Sequence, residues 1–278
     1  MLFRQVIHED LGCASYLIGD TSSGEAVVVD PQWSIEPYLR LARLHGVTIT
    51  HVLETHNHAD HVSGHGRLAR ATGAQIHIHE IAEAEYPHEA FADGWTLSLG
   101  QVEIEALHTP GHRPEHTSFL LRDRSRGGGR WAVLTGDSLF VGDVARPDLA
   151  VEPREGAIDI HRSLHERLFT LPAEVEVWPG HLGGSLCGGP GMDMKTSSTI
   201  GFERDHSELL ASVGLRVRGF LSGGMTAWRS EGRPVQRLET IDPAGLAERL
   251  ESGDGLLVLD VRDDADYAGG RRACRRGC

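Results

Sequence analysis

Thr55-His56-Asn57-His58-Ala59-Asp60-His61 places four potential metal ligands within six residues, and this stretch constrains the fold more than any other. Borderline metals take imidazole and carboxylate donors, so the backbone must change direction to bring all four together. Alternation in an extended start aims His56 and His58 the same way, and a turn into a following helix is expected to bring Asp60 and His61 back beside them. The preceding run, Val47 to Glu54, reads as a buried strand. The cluster is therefore expected at a strand exit, where layered α/β scaffolds carry their chemistry.

A single histidine on an apolar face is ordinarily a packed or surface residue, so the argument rests on recurrence. Thr109-Pro110-Gly111-His112 puts an imidazole on a rigid turn, with glycine free to take unusual backbone angles. Leu134-Thr135-Gly136-Asp137 puts a carboxylate straight after a buried-type strand, and Trp178-Pro179-Gly180-His181 repeats the strand–turn–ligand device. Pro-Gly turns are common and each motif alone is a weak signal. Together they supply the remaining ligands of a metal cluster.

The surrounding chain reads as α/β. Ser15–Ile18 and Ala26–Val29 form strands about a Thr21–Gly24 turn, and Ser34–His45 forms a helix closed by Gly46. Arg67–Thr72 reads as a helix and Gln75–His79 as a strand. The β-α-β-α alternation is expected to continue through Val102–Leu107, Ser118–Leu121 and Trp131–Leu134. A helix around Ile158–Phe169 and a strand at Glu174–Val177 follow.

With 278 residues, 40% of them hydrophobic, the chain has room for one sizeable domain and a smaller piece. A formal charge of -13 argues against nucleic acid or anionic membranes as partners, because the summed field repels polyanions. The opening segment has charges within its first ten residues and no long apolar run, so neither a secretion signal nor a membrane span is expected. Cys13, Cys187, Cys274 and Cys278 form no C-x-x-C pair, which fits a reduced, cytoplasmic protein. The sequence leaves open a homo-oligomer.

THNHADH, TPGH, TGD and PGH resemble the metallo-β-lactamase superfamily over about residues 1–208. The resemblance implies an αββα sandwich with metal held at the sheets' edges. Two enzyme classes share these motifs: glyoxalase II-like hydrolases of glutathione thioesters, with two metals and a bridging aspartate, and iron-dependent persulfide dioxygenases. A binding protein that keeps the scaffold without turnover is a third reading, disfavoured because every ligand position is intact. The stretch from Asp137 to Asp148 (DSLFVGDVARPD), the segment Cys13–Asp20 and HLGGSLCGGPGMDMKTSSTIGFERDH resemble the dioxygenase branch fused to rhodanese domains.

By that resemblance His56, His112 and Asp137 would hold one Fe(II) per chain and carry catalysis. His58, Asp60, His61 and His181 would be a remnant second site, hydrogen-bonding to iron-bound water or substrate. Two Zn(II), or mixed zinc and iron, is the alternative loading. Arg146 would pair with a carboxylate of a glutathione-like persulfide, with Asp148 beside it, unless Arg146 is instead tied to Asp143 or Asp148. Cys187, in a glycine-rich loop soon after His181, is either a small buried thiol or a carrier of sulfane sulfur. The partners implied are a small-molecule thiol persulfide and O2.

Residues 209–237 resemble the end of one rhodanese-like domain and residues 238–278 the start of another. Neither contains the cysteine loop that sulfur transfer needs. The tail Arg271–Cys278 departs from a rhodanese continuation and reads as truncated or out-of-frame sequence.

Overall fold

Period-two burial organises the molecule. In strand β3 (Glu25–Val29), Val27 and Val29 enter one apolar cluster while Val28 enters another, because successive strand side chains point to opposite faces. A strand buried on both faces must lie inside a layered structure. The computed structural model describes residues 1–205 apart from 9, 10, 184, 186 and 189–191. The rhodanese-like pieces expected at 209–237 and 238–278, and the boundary at 208, lie outside the described residues.

The first sheet runs in chain order through β1 (Leu2–Ile7), β2 (Ala14–Asp20), β3, β4 (Thr48–Leu53), β5 (Gln75–His79) and β6 (Glu89–Phe91). β1–β3 pair antiparallel, and β3–β6 pair parallel. The second sheet comprises β7 (Thr96–Leu99), β8 (Val102–His108), β9 (Thr117–Asp123), β10 (Arg130–Gly136), β11 (Glu176–Pro179) and β12 (Ser198–Thr199). Only its β10–β11 pairing is parallel.

Tyr16, Val27, Val29 and Leu53 from the first sheet meet Ile104, Phe119, Leu121 and Leu134 from the second in the central core. Helices α1 (Glu36–His45) and α2 (His65–Thr72) cover the first sheet through Tyr38, Ala42 and Leu68. Helix α3 (Pro153–Arg162) and the wider turn Ser163–Leu168 cover the second through Ile160, Leu164 and Leu168. The layers are αββα. Among the described residues no helix is long and apolar enough to cross a membrane.

Two expectations are corrected. The alternation of strands and helices stops at β6, and β7–β10 form an antiparallel meander instead. Its turns at Gly100–Gln101 and Arg124–Gly129 are too short for crossover helices. The expected turn from the histidine motif directly into a helix is also absent. Residues 57–64 are loop, and helical backbone begins at His65.

Candidate metal centre

Three strand exits deliver the first group of donors. Asp30 follows β3 in a left-handed conformation, φ 50°, which aspartate tolerates better than most residues. Its Oδ1 accepts from Thr55 N–H at 2.7 Å and its Oδ2 accepts from Thr55 Oγ1 at 2.9 Å. Thr55 Oγ1 in turn lies 2.9 Å from His56 Nδ1. With its hydroxyl proton given to Asp30, the threonine oxygen accepts from His56, so the lone pair of His56 stands on Nε2.

His112 reaches the same tautomer by another route. Its Nδ1 donates to the main-chain carbonyl of Arg146 at 3.1 Å, and its Nε2 lies 3.6 Å from Asp137 Oδ2. Gly111 carries the turn at φ 141°, and a Cβ there would lie 2.5 Å from the backbone nitrogen of Ile160. Asp137 follows β10, and its backbone N–H donates to His116 Nε2 at 2.9 Å. Burial is the largest influence on His116 and pushes it down to about 3, so this ring stays neutral and accepts.

His56, His112 and Asp137 each offer a ligand atom within 4.8 Å of the others. Asp137 is 1% exposed, and its Oδ2 is buried with no hydrogen-bond partner among the described residues. An orphaned carboxylate oxygen facing two imidazole lone pairs fits a metal cation. Burial drives the Asp137 carboxyl up, but His181, His56 and His112 outweigh it and hold it well below the usual carboxylate range.

The second group is bonded differently. His181 donates from Nδ1 to Asp137 Oδ1 at 2.7 Å and from Nε2 to Asp60 Oδ2 at 2.8 Å. Burial opposes its charge, yet Asp137 and Asp60 raise it far above the ordinary histidine range. With both nitrogens donating, it offers no lone pair in this arrangement. Asp60 Oδ1 also lies 3.2 Å from His61 Nδ1.

His58 is held from behind. Its Nε2 is 3.1 Å from Glu54 Oε2 and 3.2 Å from Asp30 Oδ1. Burial works against a charged ring, but the two carboxylates raise His58 well above the ordinary range. Glu54 is buried and accepts from Ser63 Oγ at 2.6 Å, with His65 Nδ1 at 3.2 Å. Burial would raise its carboxyl, and the adjacent His58 and His65 bring it down to about 2. Among the described residues His58 Nδ1 and His61 Nε2 are buried without hydrogen-bond partners, and His58, Asp60 and His61 form a second set of ligand atoms within 4.8 Å.

The remaining expected residues are placed as follows. Arg146 forms a bidentate pair with Asp148, Nε to Oδ1 at 2.7 Å and an Nη to Oδ2 at 2.9 Å. Its main chain does more for the centre, since Arg146 N–H donates to Cys187 O at 2.9 Å while its carbonyl receives His112. Cys187 lies with Asp137 and His181 in a third set within 4.8 Å. Burial, with the Asp137 charge adding to it, pushes its thiol up to about 12, so it is held as a thiol.

Sequence reasoning did not single out Asp30, Glu54, Thr55 or Cys13 as parts of the centre. Cys13 Sγ is 3.3 Å from Asp60 Oδ2, and the neighbouring His181 and His61 outweigh its burial and lower it. Asp30-Pro31 at a strand end and a glutamate two residues before the first ligand were the available signals.

Residues 8–181 match the family described as the Metallo-beta-lactamase superfamily. The human protein "Persulfide dioxygenase ETHE1, mitochondrial" is 31% identical over 195 residues, covering 65% of this chain and 68% of that protein. The Arabidopsis thaliana protein "Hydroxyacylglutathione hydrolase cytoplasmic" is 34% identical over 170 residues, covering 60% and 62%. The crystal structure of ETHE1 from Myxococcus xanthus superposes with a TM-score of 0.65 at 29% identity, covering 90% of this chain and 98% of that one. A matched family over 8–181, an αββα sandwich and a histidine–aspartate centre at its strand exits lead to one conclusion: the chain belongs to the metallo-β-lactamase superfamily.

Proposed function

We propose that the chain is an iron-dependent persulfide dioxygenase that oxidises the outer sulfur of a low-molecular-weight thiol persulfide to sulfite. The observation that carries the reading is the contrast between the donor groups. His56, His112 and Asp137 present two imidazole lone pairs and an unpartnered carboxylate oxygen, a two-histidine, one-carboxylate set suited to Fe(II). His181 and Asp60 are instead bonded to each other and to neighbours. The likeness to the human persulfide dioxygenase supports the same reading.

Overall, RSSH + O2 + H2O gives RSH and sulfurous acid, which ionises to sulfite. Bound iron would supply the oxygen chemistry. The protein's own part is to fix tautomers: Thr55 and the Arg146 carbonyl each accept a hydrogen bond from one imidazole N–H and turn the other nitrogen inward. His181, donating to Asp137 Oδ1, leaves Oδ2 as the oxygen that would hold the metal. His58 and His61 face the centre from the second group and would orient water or substrate. Arg146 and Asp148 would bind the substrate's polar end, although a carboxylate there must first open their bidentate pair. Cys187, close to Asp137 and His181, would carry sulfane sulfur.

A second reading has its own observation. The unpartnered His58 Nδ1 and His61 Nε2 beside Asp60 could complete a two-metal hydrolase site, consistent with the likeness to a hydroxyacylglutathione hydrolase. Metal analysis of protein purified without added metal separates the two. One iron per chain with persulfide-dependent oxygen uptake is expected; two zinc equivalents with thioester hydrolysis would replace it with the hydrolase.

A further inference from the structure

A cavity of about 450 Å³ adjoins the second donor group, a volume within the range of small-molecule sites. Cys13, Asp60 and His61 line it together with Leu11, Trp33 and Val62. These three apolar residues are 43%, 57% and 67% exposed. Scattered exposed apolar side chains need no explanation, but three gathered around one cavity beside a buried polar centre form a patch of the kind that ligands cover.

The patch is braced. The Arg67 guanidinium lies 4.8 Å from the Trp33 ring centroid and donates to the Trp33 carbonyl at 2.7 Å. The indole is thus held for contact at little further ordering cost. His8 also lines the cavity, and its buried Nδ1 has no hydrogen-bond partner among the described residues. A buried polar nitrogen with nothing to bond invites a partner from a ligand.

Charge narrows the ligand further. Among the described residues no lysine or arginine lines the cavity, while Asp60 does. Arg146 is tied to Asp148. A free carboxylate entering here would lose its hydration beside an acidic side chain, with no lysine or arginine among the described lining residues to meet it.

We propose that this cavity receives the part of the substrate next to its sulfur, and that this part is an uncharged alkyl-amide arm rather than a peptide with free carboxylates. The alkyl segment would cover Leu11, Trp33 and Val62, and the amide would bond to His8 Nδ1. The inference rests on reading the centre as one that handles sulfur carried on a small thiol, in either its oxygenase or its thioesterase form.

Isothermal titration of the full-length, metal-loaded chain with N-acetylcysteamine and with glutathione tests this, because both present a thiol and differ in the arm. N-acetylcysteamine is expected to bind at least about tenfold more tightly. Trp33→Ala is expected to weaken it by about tenfold while leaving glutathione binding and metal content unchanged. Glutathione binding as well or better, or a Trp33→Ala loss equal for both thiols or absent, overturns the proposal. The titration involves no turnover. Arm selectivity without persulfide-dependent oxygen uptake would therefore reject the oxygenase and leave this inference standing, and the opposite pattern would reject this inference alone.

Discussion

His181 takes one oxygen of Asp137 and leaves the other: Nδ1 stands 2.7 Å from Oδ1, while Oδ2 is buried and unpartnered. This division makes Asp137 both the anchor of a histidine and the anionic donor of the first group. Asp137→Ala is expected to remove the anionic donor of the set with His56 and His112 and to leave His181 without its buried partner. Iron content should fall by about tenfold or more, and persulfide-dependent oxygen uptake should vanish. Full iron occupancy in the variant, measured by elemental analysis, would hand the carboxylate role to Asp60.

Gly180 tests the same oxygen sterically. A Cβ there would lie 2.6 Å from Asp137 Oδ1 and 3.0 Å from the backbone carbon of Gly136, and the backbone cannot yield as a side-chain tip would. Gly180→Ala should therefore displace the carboxylate and weaken metal binding by about tenfold. Its far-ultraviolet circular dichroism should be unchanged. Normal metal affinity measured by chelator competition contradicts the expectation.

Arg146 is expected to support the metal centre through its main chain. Its side-chain pair with Asp148 is more than a third exposed on the arginine side, so Arg146→Ala should cost only about 0.2–1 kcal/mol in denaturant unfolding. Metal content should hold, because the carbonyl that receives His112 Nδ1 survives the substitution. Loss of metal in Arg146→Ala would show that the guanidinium shapes the turn.

Acid should destabilise the fold through His77. Its Nε2 lies 2.9 Å from His51 Nδ1 and its ring packs on Trp95; burial first, and then the His51 charge, lower it to about 4. A histidine lowered in the folded state binds protons more readily when unfolded, so stability rises with pH across the interval between the two values. The contribution is complete above about 6.5, the ordinary histidine value, and is lost as pH falls from there toward about 4. Thermal midpoints measured across that window should decline with acidification, and His77→Leu should flatten the decline. An equal slope in the variant would place the effect elsewhere.

How much of this was legible beforehand follows from distance along the chain. Strand β3 and helix α1 were readable because period-two and helical spacing are local properties, and Gly46 does adopt the left-handed cap that its position predicts. The meander β7–β10 was misread, since short apolar runs do not reveal whether their connections cross over or turn back. Strand β1 is not legible because LFRQVI shows no strict apolar–polar alternation.

The sequence by itself determined the donor inventory. His56, His58, Asp60, His61, His112, Asp137 and His181 lie in short motifs whose residue types and strand-exit positions are fixed locally. Only the tertiary structure decided how those donors are used. Asp30 meets Thr55 across 25 positions, His181 meets Asp60 across 121, and His112 meets the Arg146 carbonyl across 34. These bonds set which imidazole nitrogen keeps a lone pair and which carboxylate oxygen lacks a partner. No local pattern encodes them, because a hydrogen bond depends on where two strand exits arrive in space, and the packing of two sheets fixes that.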